Sequence, residues 1–164
     1  MEEDAYTWSG DGKHVEKLIT ELGLTGANPV SVPVVREDQP DDDGDERDEM
    51  DAAEATRYRR GAARVNYLAL DRPDLGFAAN MLSRSMAKPR RGDESLLKRV
   101  ARYLILHPRV VIRYGDQPVP AQVTVMTDSD WGGCRRTRRS TTGTAVMWGN
   151  HLLTLPAECK RPSA

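Results

Sequence analysis

Between Thr127 and Gly143 the chain reads TDSDWGGCRRTRRSTTG. Asp128 and Asp130 stand two residues apart, and along an extended strand that spacing puts both carboxylates on one face. Carboxylates so placed repel each other unless a cation lies between them. Mg²⁺ suits the arrangement, because it takes few hard oxygen ligands and keeps its waters for phosphates. Taken alone, the same residues read first as a turn in which Asp130 satisfies local backbone amides. A calcium loop is excluded: Asp128, Asp130 and Gly133 match its first half, but the twelfth position is Arg139 instead of glutamate. Arg135, Arg136, Arg138 and Arg139 follow closely, and such a run reads as phosphate contact, nuclear signal or solvated hairpin. The two cysteines, Cys134 and Cys159, form no CxxC pair, which argues against a zinc site and a disulfide framework and suits a reducing compartment. His14 has no second ligand nearby and reads as a capping or surface residue.

The elements that must position these residues are legible from charge and periodicity. The net charge of −1 over 164 residues conceals a segregation. From Arg36 to Glu54 eleven acidic residues face two arginines, a net of −9, which leaves +8 on the rest of the chain. A basic body attracts polyanions, nucleic acid first among them. Gln39 to Asp51 has almost nothing apolar to bury and reads as a disordered acidic linker.

Ahead of that linker, KHVEKLITEL places Val15, Leu18, Ile19 and Leu22 on one helical face, with Gly23 as its stop. NPVSVPVV, from Asn28, is proline-punctuated and extended. Beyond the linker the pattern is helical three times. Tyr58, Ala62, Val65 and Ala69 form one stripe, with Leu68 beside it. Leu75, Ala78, Ala79, Leu82 and Met86 form a second behind Pro73, a good first-turn residue. Leu96, Leu97, Val100, Ala101 and Leu104 form a third behind Asp93, read as its cap. Lys98, Arg99 and Arg102 lie off the third stripe, with Lys88, Arg90 and Arg91 in the preceding loop; they form either a solvated face or a phosphate cradle. After Pro118 and Pro120 the period changes to two. Val123 to Asp128, Ser140 to Trp148 and HLLTL read as three strands of an antiparallel meander, turned at Gly149-Asn150 and closed by Pro156 and Pro162. The expected class is α+β: a small three-helix bundle followed by a three-stranded antiparallel meander.

Four stretches carry a resemblance in the same order: SGDGKHVEKLITELGL, YRRGAARVNYLALDRPDLGFAANMLSRSM, LKRVARYLILHP and TDSDWGGCRRTRRSTTG. Together they resemble the C-terminal part of the reverse transcriptase and the opening of the ribonuclease H domain in copia-type retrotransposon polyproteins. There the corresponding stretches read like YLxxTRPD, SRxMxxP, LxRVxRYLxGT and SDADWAGDxxxRRSTSG. Gly133-Cys134-Arg135 departs from the small acidic stretch usual after WAGD.

The resemblance implies four divisions. Residues 1–35 correspond to the edge of the palm–thumb junction, 36–57 to the acidic linker, 58–117 to a thumb-like helical region, and 118–164 to an incomplete ribonuclease H-like meander. It implies that Asp128 is the first-strand aspartate that helps hold catalytic Mg²⁺, with Asp130 beside it. Two-metal phosphodiester hydrolysis needs several converging carboxylates. The family's Ser-x-x-Glu-Ala-Glu helix lies past the equivalent of KRPSA, Glu158 does not match it, and no Tyr-x-Asp-Asp polymerase motif occurs. The expectation is therefore a Pol fragment, inactive alone, with an incomplete Mg²⁺ site at Asp128 that does not bind the ion tightly. Implied partners are RNA–DNA hybrid or duplex, held weakly and salt-dependently through Lys98, Arg99, Arg102 and the arginines from Arg135 to Arg139, and the rest of the Pol polyprotein. The other readings are a non-catalytic nucleic-acid-binding module and a decayed fragment without function. No apolar run is long enough to cross a bilayer, and Met1 leads into acidic residues instead of a signal peptide, so an intracellular location, cytoplasmic or nuclear, is expected.

Overall fold

A computed structural model describes residues 5–35, 49–129 and 140–155, and the backbone of 157–159. The chain is α+β and divides into two compact units, Gly10–Val110 and Met1–Ser9 with Val111–Ala164. The units fall differently from the divisions the sequence suggested. The N-terminal helix shares the core of the helices beyond the acidic run, burying Val15 and Leu18 of its apolar stripe there with Ile19 and Leu22 packed against it.

The helical unit contains α1 (Lys13–Glu21), α2 (Ala52–Leu68), a 3₁₀ turn (Pro73–Leu75), α3 (Gly76–Arg84) and α4 (Arg91–Leu106). α1 stops where expected: Gly23 takes φ +67° and donates to Thr20 O, while Leu24 N donates to Ile19 O, closing the helix with a Schellman motif. α2 starts six residues before the first position of its apolar stripe. The Asp51 carboxylate accepts from the amides of Ala53 and Glu54, and the Glu54 carboxylate accepts from Asp51 N at 3.0 Å, a capping box at the edge of the acidic run. Residues 52–57 of the expected linker are therefore helix; 36–48 lie outside the described residues.

In α4 the first residue of the cap is Arg90. Asp93, read from sequence as the cap, stands three residues on, and its buried carboxylate accepts from Arg90 N and Ser85 Oγ, both at 2.7 Å. The core is the union of the four stripes: Leu18, Val65, Leu75, Leu82, Leu97, Val100 and Leu104 are fully enclosed. Tyr58 reaches across it, its hydroxyl donating to Leu82 O at 2.8 Å. Burial and the charge of Asp93 push that phenol well above its ordinary pKa. Gly61 lets α2 and α4 approach closely, since a Cβ there would come within 2.7 Å of Leu97 Cδ2.

The strand unit holds two antiparallel sheets. β1 (Ala5–Trp8) pairs with β2 (Ile112–Gly115) in a ribbon, with Tyr6 opposite Tyr114. β3 (Val123–Ser129), β4 (Thr141–Trp148) and β5 (His151–Thr154) form the expected meander. The sequence reading ended it at Pro156, but β6 (Ala157–Cys159) also pairs with β4. β6 continues the register set by Val146 and Thr154, with Gly143 facing Ala157, whereas β5 shifts by one residue between Val146 and Met147. Gln117 fastens the ribbon to the meander: its Nε2 donates to Trp148 O and its Oε1 accepts from Asn150 N. His151 bonds Gly115 O through Nε2 and Gln117 through Nδ1, both met by the Nε2–H tautomer.

Candidate nucleic-acid interface

The sequence-predicted cations of α4 have divergent surroundings. Lys98 is half-exposed and pairs with Glu94 one turn earlier, at 3.2 Å. Arg99 is partly buried. Arg102 is engaged in the fold: its Nε donates to Asn28 O at 2.6 Å, and its own carbonyl accepts from Val30 N, so α4 holds the proline-punctuated segment. Arg135, Arg136, Arg138, Arg139 and Asp130 lie outside the described residues.

Packing adds partners that sequence reasoning missed. α1, α2 and α4 enclose a cleft of about 230 Å³ with Leu18, Tyr58, Gly61 and Leu97 among its walls. Arg57 and Arg60 from α2 and Lys98 from α4 line it, together with Glu21, Glu54 and Glu94. Two of these acids have partners outside the three cations, Glu21 meeting Arg64 at 3.0 Å and Glu54 capping α2, while Glu94 pairs with Lys98 of the cleft itself. Arg57 and Arg60 make no ion pair among the described residues. Their signal was present in the sequence, since both fall off the Tyr58–Ala62–Val65 stripe three residues apart.

A second charged constellation holds the fold together. Arg72 is almost wholly buried, and its guanidinium takes Asp74 through two bonds, at 2.9 and 2.7 Å, and His107 O at 3.0 Å. Tyr103 Oη donates to Asp74 Oδ2 at 2.8 Å. Burial pushes the Asp74 carboxyl up, but the bonds from Arg72 and Tyr103 outweigh it and hold the group below its ordinary value. Burial, and then the bond to Asp74, raise Tyr103. The Arg-Pro-Asp stretch therefore ties the 3₁₀ turn to the end of α4, with the Arg72 guanidinium and the Asp74 carboxylate both partnered within the fold.

Asp128 lies on β3, exposed, opposite Gly143; its Oδ1 accepts from Ser129 N at 2.8 Å. Thr124 and Met126 share its face of the strand. Among the described residues no three His, Cys, Asp or Glu side chains gather as metal ligands. Among the described residues no helix is long and apolar enough to cross a membrane.

Comparison with known proteins gives the chain its relatives. It is 30% identical over 149 residues to the uncharacterized mitochondrial protein AtMg00810 of Arabidopsis thaliana, covering 89% of this chain and 58% of that protein. It is 28% identical over 141 residues to the retrovirus-related Pol polyprotein from transposon RE1 of the same plant, covering 85% of this chain and 9% of the polyprotein. A second uncharacterized mitochondrial protein, AtMg00240, is 35% identical over 77 residues, with 47% of this chain and 68% of the relative covered. The chain thus spans little more than half of the first relative and a small part of the polyprotein. No family model matches, and no solved structure matches. Both the order of the four motifs and these relatives place the chain in one group: it belongs to the copia-type family of retrovirus-related Pol polyproteins and corresponds to a partial segment of them.

Proposed function

We propose that this segment holds nucleic acid for a retrotransposon Pol protein without cutting it by itself. The observation that carries the reading is the convergence of Arg57, Arg60 and Lys98 from two helices on one cleft of the helical unit. That unit's described residues carry fifteen lysines and arginines against ten acids. Cations on packed helices can follow a phosphate backbone without reading bases, so the ligand is a duplex or an RNA–DNA hybrid bound by charge and shape. Arg135 to Arg139 would add contacts from the strand unit, and the rest of the Pol polyprotein would supply the catalytic centres. Asp128 would give one carboxylate to a Mg²⁺ site completed elsewhere.

The test is fluorescence anisotropy of a labelled RNA–DNA hybrid between about 50 and 200 mM salt. Affinity should fall steeply with salt, and R57Q/R60Q/K98Q should flatten the logarithmic salt slope by roughly 3, one for each phosphate that is no longer neutralised. A salt-insensitive interaction, or a triple variant that binds like the parent, would reject the proposal. Mg²⁺-dependent cleavage of the hybrid above a D128A control would reject its non-catalytic half.

A further inference from the structure

The turn between α3 and α4, with the first residue of α4, carries Lys88, Arg90 and Arg91 within four residues. Its shape is fixed from below, because the Arg59 guanidinium donates to Met86 O at 2.7 Å and to Ala87 O at 3.2 Å. Residues 49–54, at the C-terminal end of the acidic run, lie against this turn. Glu49 forms an antiparallel bridge with Arg90, and Met50 N donates to Pro89 O at 3.4 Å. The Glu49 carboxylate pairs with the Lys88 amine, and Glu54 lies 3.6 Å from Arg91 Nε. Glu49, Asp51 and Glu54 are the last three of the eleven acids that begin at Glu37.

These pairs are open to water: the Lys88 and Arg91 side chains keep 68% and 59% of their exposure. Pairs this exposed contribute little to stability. The helical core and the capping box already hold the turn and the start of α2, so the fold does not require them. Their effect is to keep carboxylates permanently beside two accessible cations at the high local concentration that a covalent tether provides. A polyanion arriving from solution must displace Glu49 and Glu54 before its phosphates can reach Lys88 and Arg91.

We infer that the Lys88–Arg91 turn is a further phosphate-contact site, and that Glu49 and Glu54 are internal competitors that hold it covered and weaken nucleic-acid binding. The inference rests on the proposed nucleic-acid function for its natural ligand, and on the ion pairs for the covering itself.

E49Q/E54Q tests it. Glutamine at position 54 keeps an oxygen to accept from Asp51 N, so the start of α2 survives. The double variant should bind the labelled hybrid roughly three- to tenfold more tightly at low salt, the scale of two exposed pairs removed. The gain should vanish in a K88Q/R91Q background. A gain that persists there comes from bulk charge or from the neighbouring cleft, which Glu54 also lines, and overturns the site; so does the absence of any gain. Linear polyphosphate run in parallel separates the two proposals. If the variants differ on polyphosphate as described while none binds the hybrid, the covered site stands and the nucleic-acid reading falls. Acylation of the Lys88 amine by a small neutral reagent, read by mass spectrometry without any polyanion, should accelerate in E49Q. An unchanged rate means that the carboxylate does not shield the amine, and overturns the covering.

Discussion

In α4, Leu97, Val100, Ala101 and Leu104 have no accessible surface, whereas in β3 all seven residues from Val123 to Ser129 are exposed. The contrast extends to both units: every buried apolar side chain among the described residues lies between Val15 and Leu104, and in the strand unit the buried residue is a threonine, Thr141. The strands do not lack apolar residues. Val123, Val125, Met126, Trp148 and Leu153 are each more than a third exposed. Among the described residues of that unit, none forms a second layer that buries them. Apolar burial contributes about 25 cal/mol per Å² removed from water, so the helical unit gains from its leucines what the meander cannot gain from its valines. The helices are held by packing, and the sheet by backbone ladders and the Gln117 and His151 contacts.

Substitutions can break or sharpen that contrast. Leu97→Ala, at the centre of the helical core, should cost about 3–4 kcal/mol in denaturant unfolding of that unit; a loss below about 1 kcal/mol would mean that the core is not packed as described. Asp74→Asn leaves the buried Arg72 guanidinium without its anion and should cost about 3 kcal/mol. Because the folded carboxyl is held below its ordinary value, its contribution is present above about pH 4 and is lost as pH falls through the folded value. The gap between wild type and D74N should therefore stay constant from neutral pH to about pH 4 and narrow below it. A gap that widens with acid would contradict the assignment.

Gly61→Ala sets two effects against each other. A new Cβ would press on Leu97, at a cost of about 1–3 kcal/mol, while alanine recovers up to about 1 kcal/mol of helix propensity. The net should be a loss of about 1 kcal/mol; a gain in stability would show that α2 and α4 can part without penalty. Smallest of all, Val125→Ala on the exposed strand should change stability by less than about 0.5 kcal/mol. A loss comparable with that of Leu97→Ala would show that something covers the sheet.

The sequence was most informative where one physical cause dominates. The stripes of α3 and α4 were readable position by position, since burial on one helical face leaves a 3.6-residue period and little competes with it. The start of α2 was hidden because Asp51 and Glu54 have two meanings: as charges they extend the acidic run, and as hydrogen-bond acceptors they cap a helix. The ribbon was missed because β1 and β2 are four residues each and their pairing spans over a hundred residues, a relation no local pattern carries. At the candidate interface the cations themselves were visible, but their employment was not. Arg102 looked like a surface cation and instead holds Asn28, while Arg57 and Arg60 join Lys98 only because three helices meet there.

Val34 and Met50 both rest on the helical core, one on each side of residues 36–48. Each flank is thus moored by its own apolar contact, and the helix that follows takes its register from Asp51, whose carboxylate fixes the first turn independently of the residues before it.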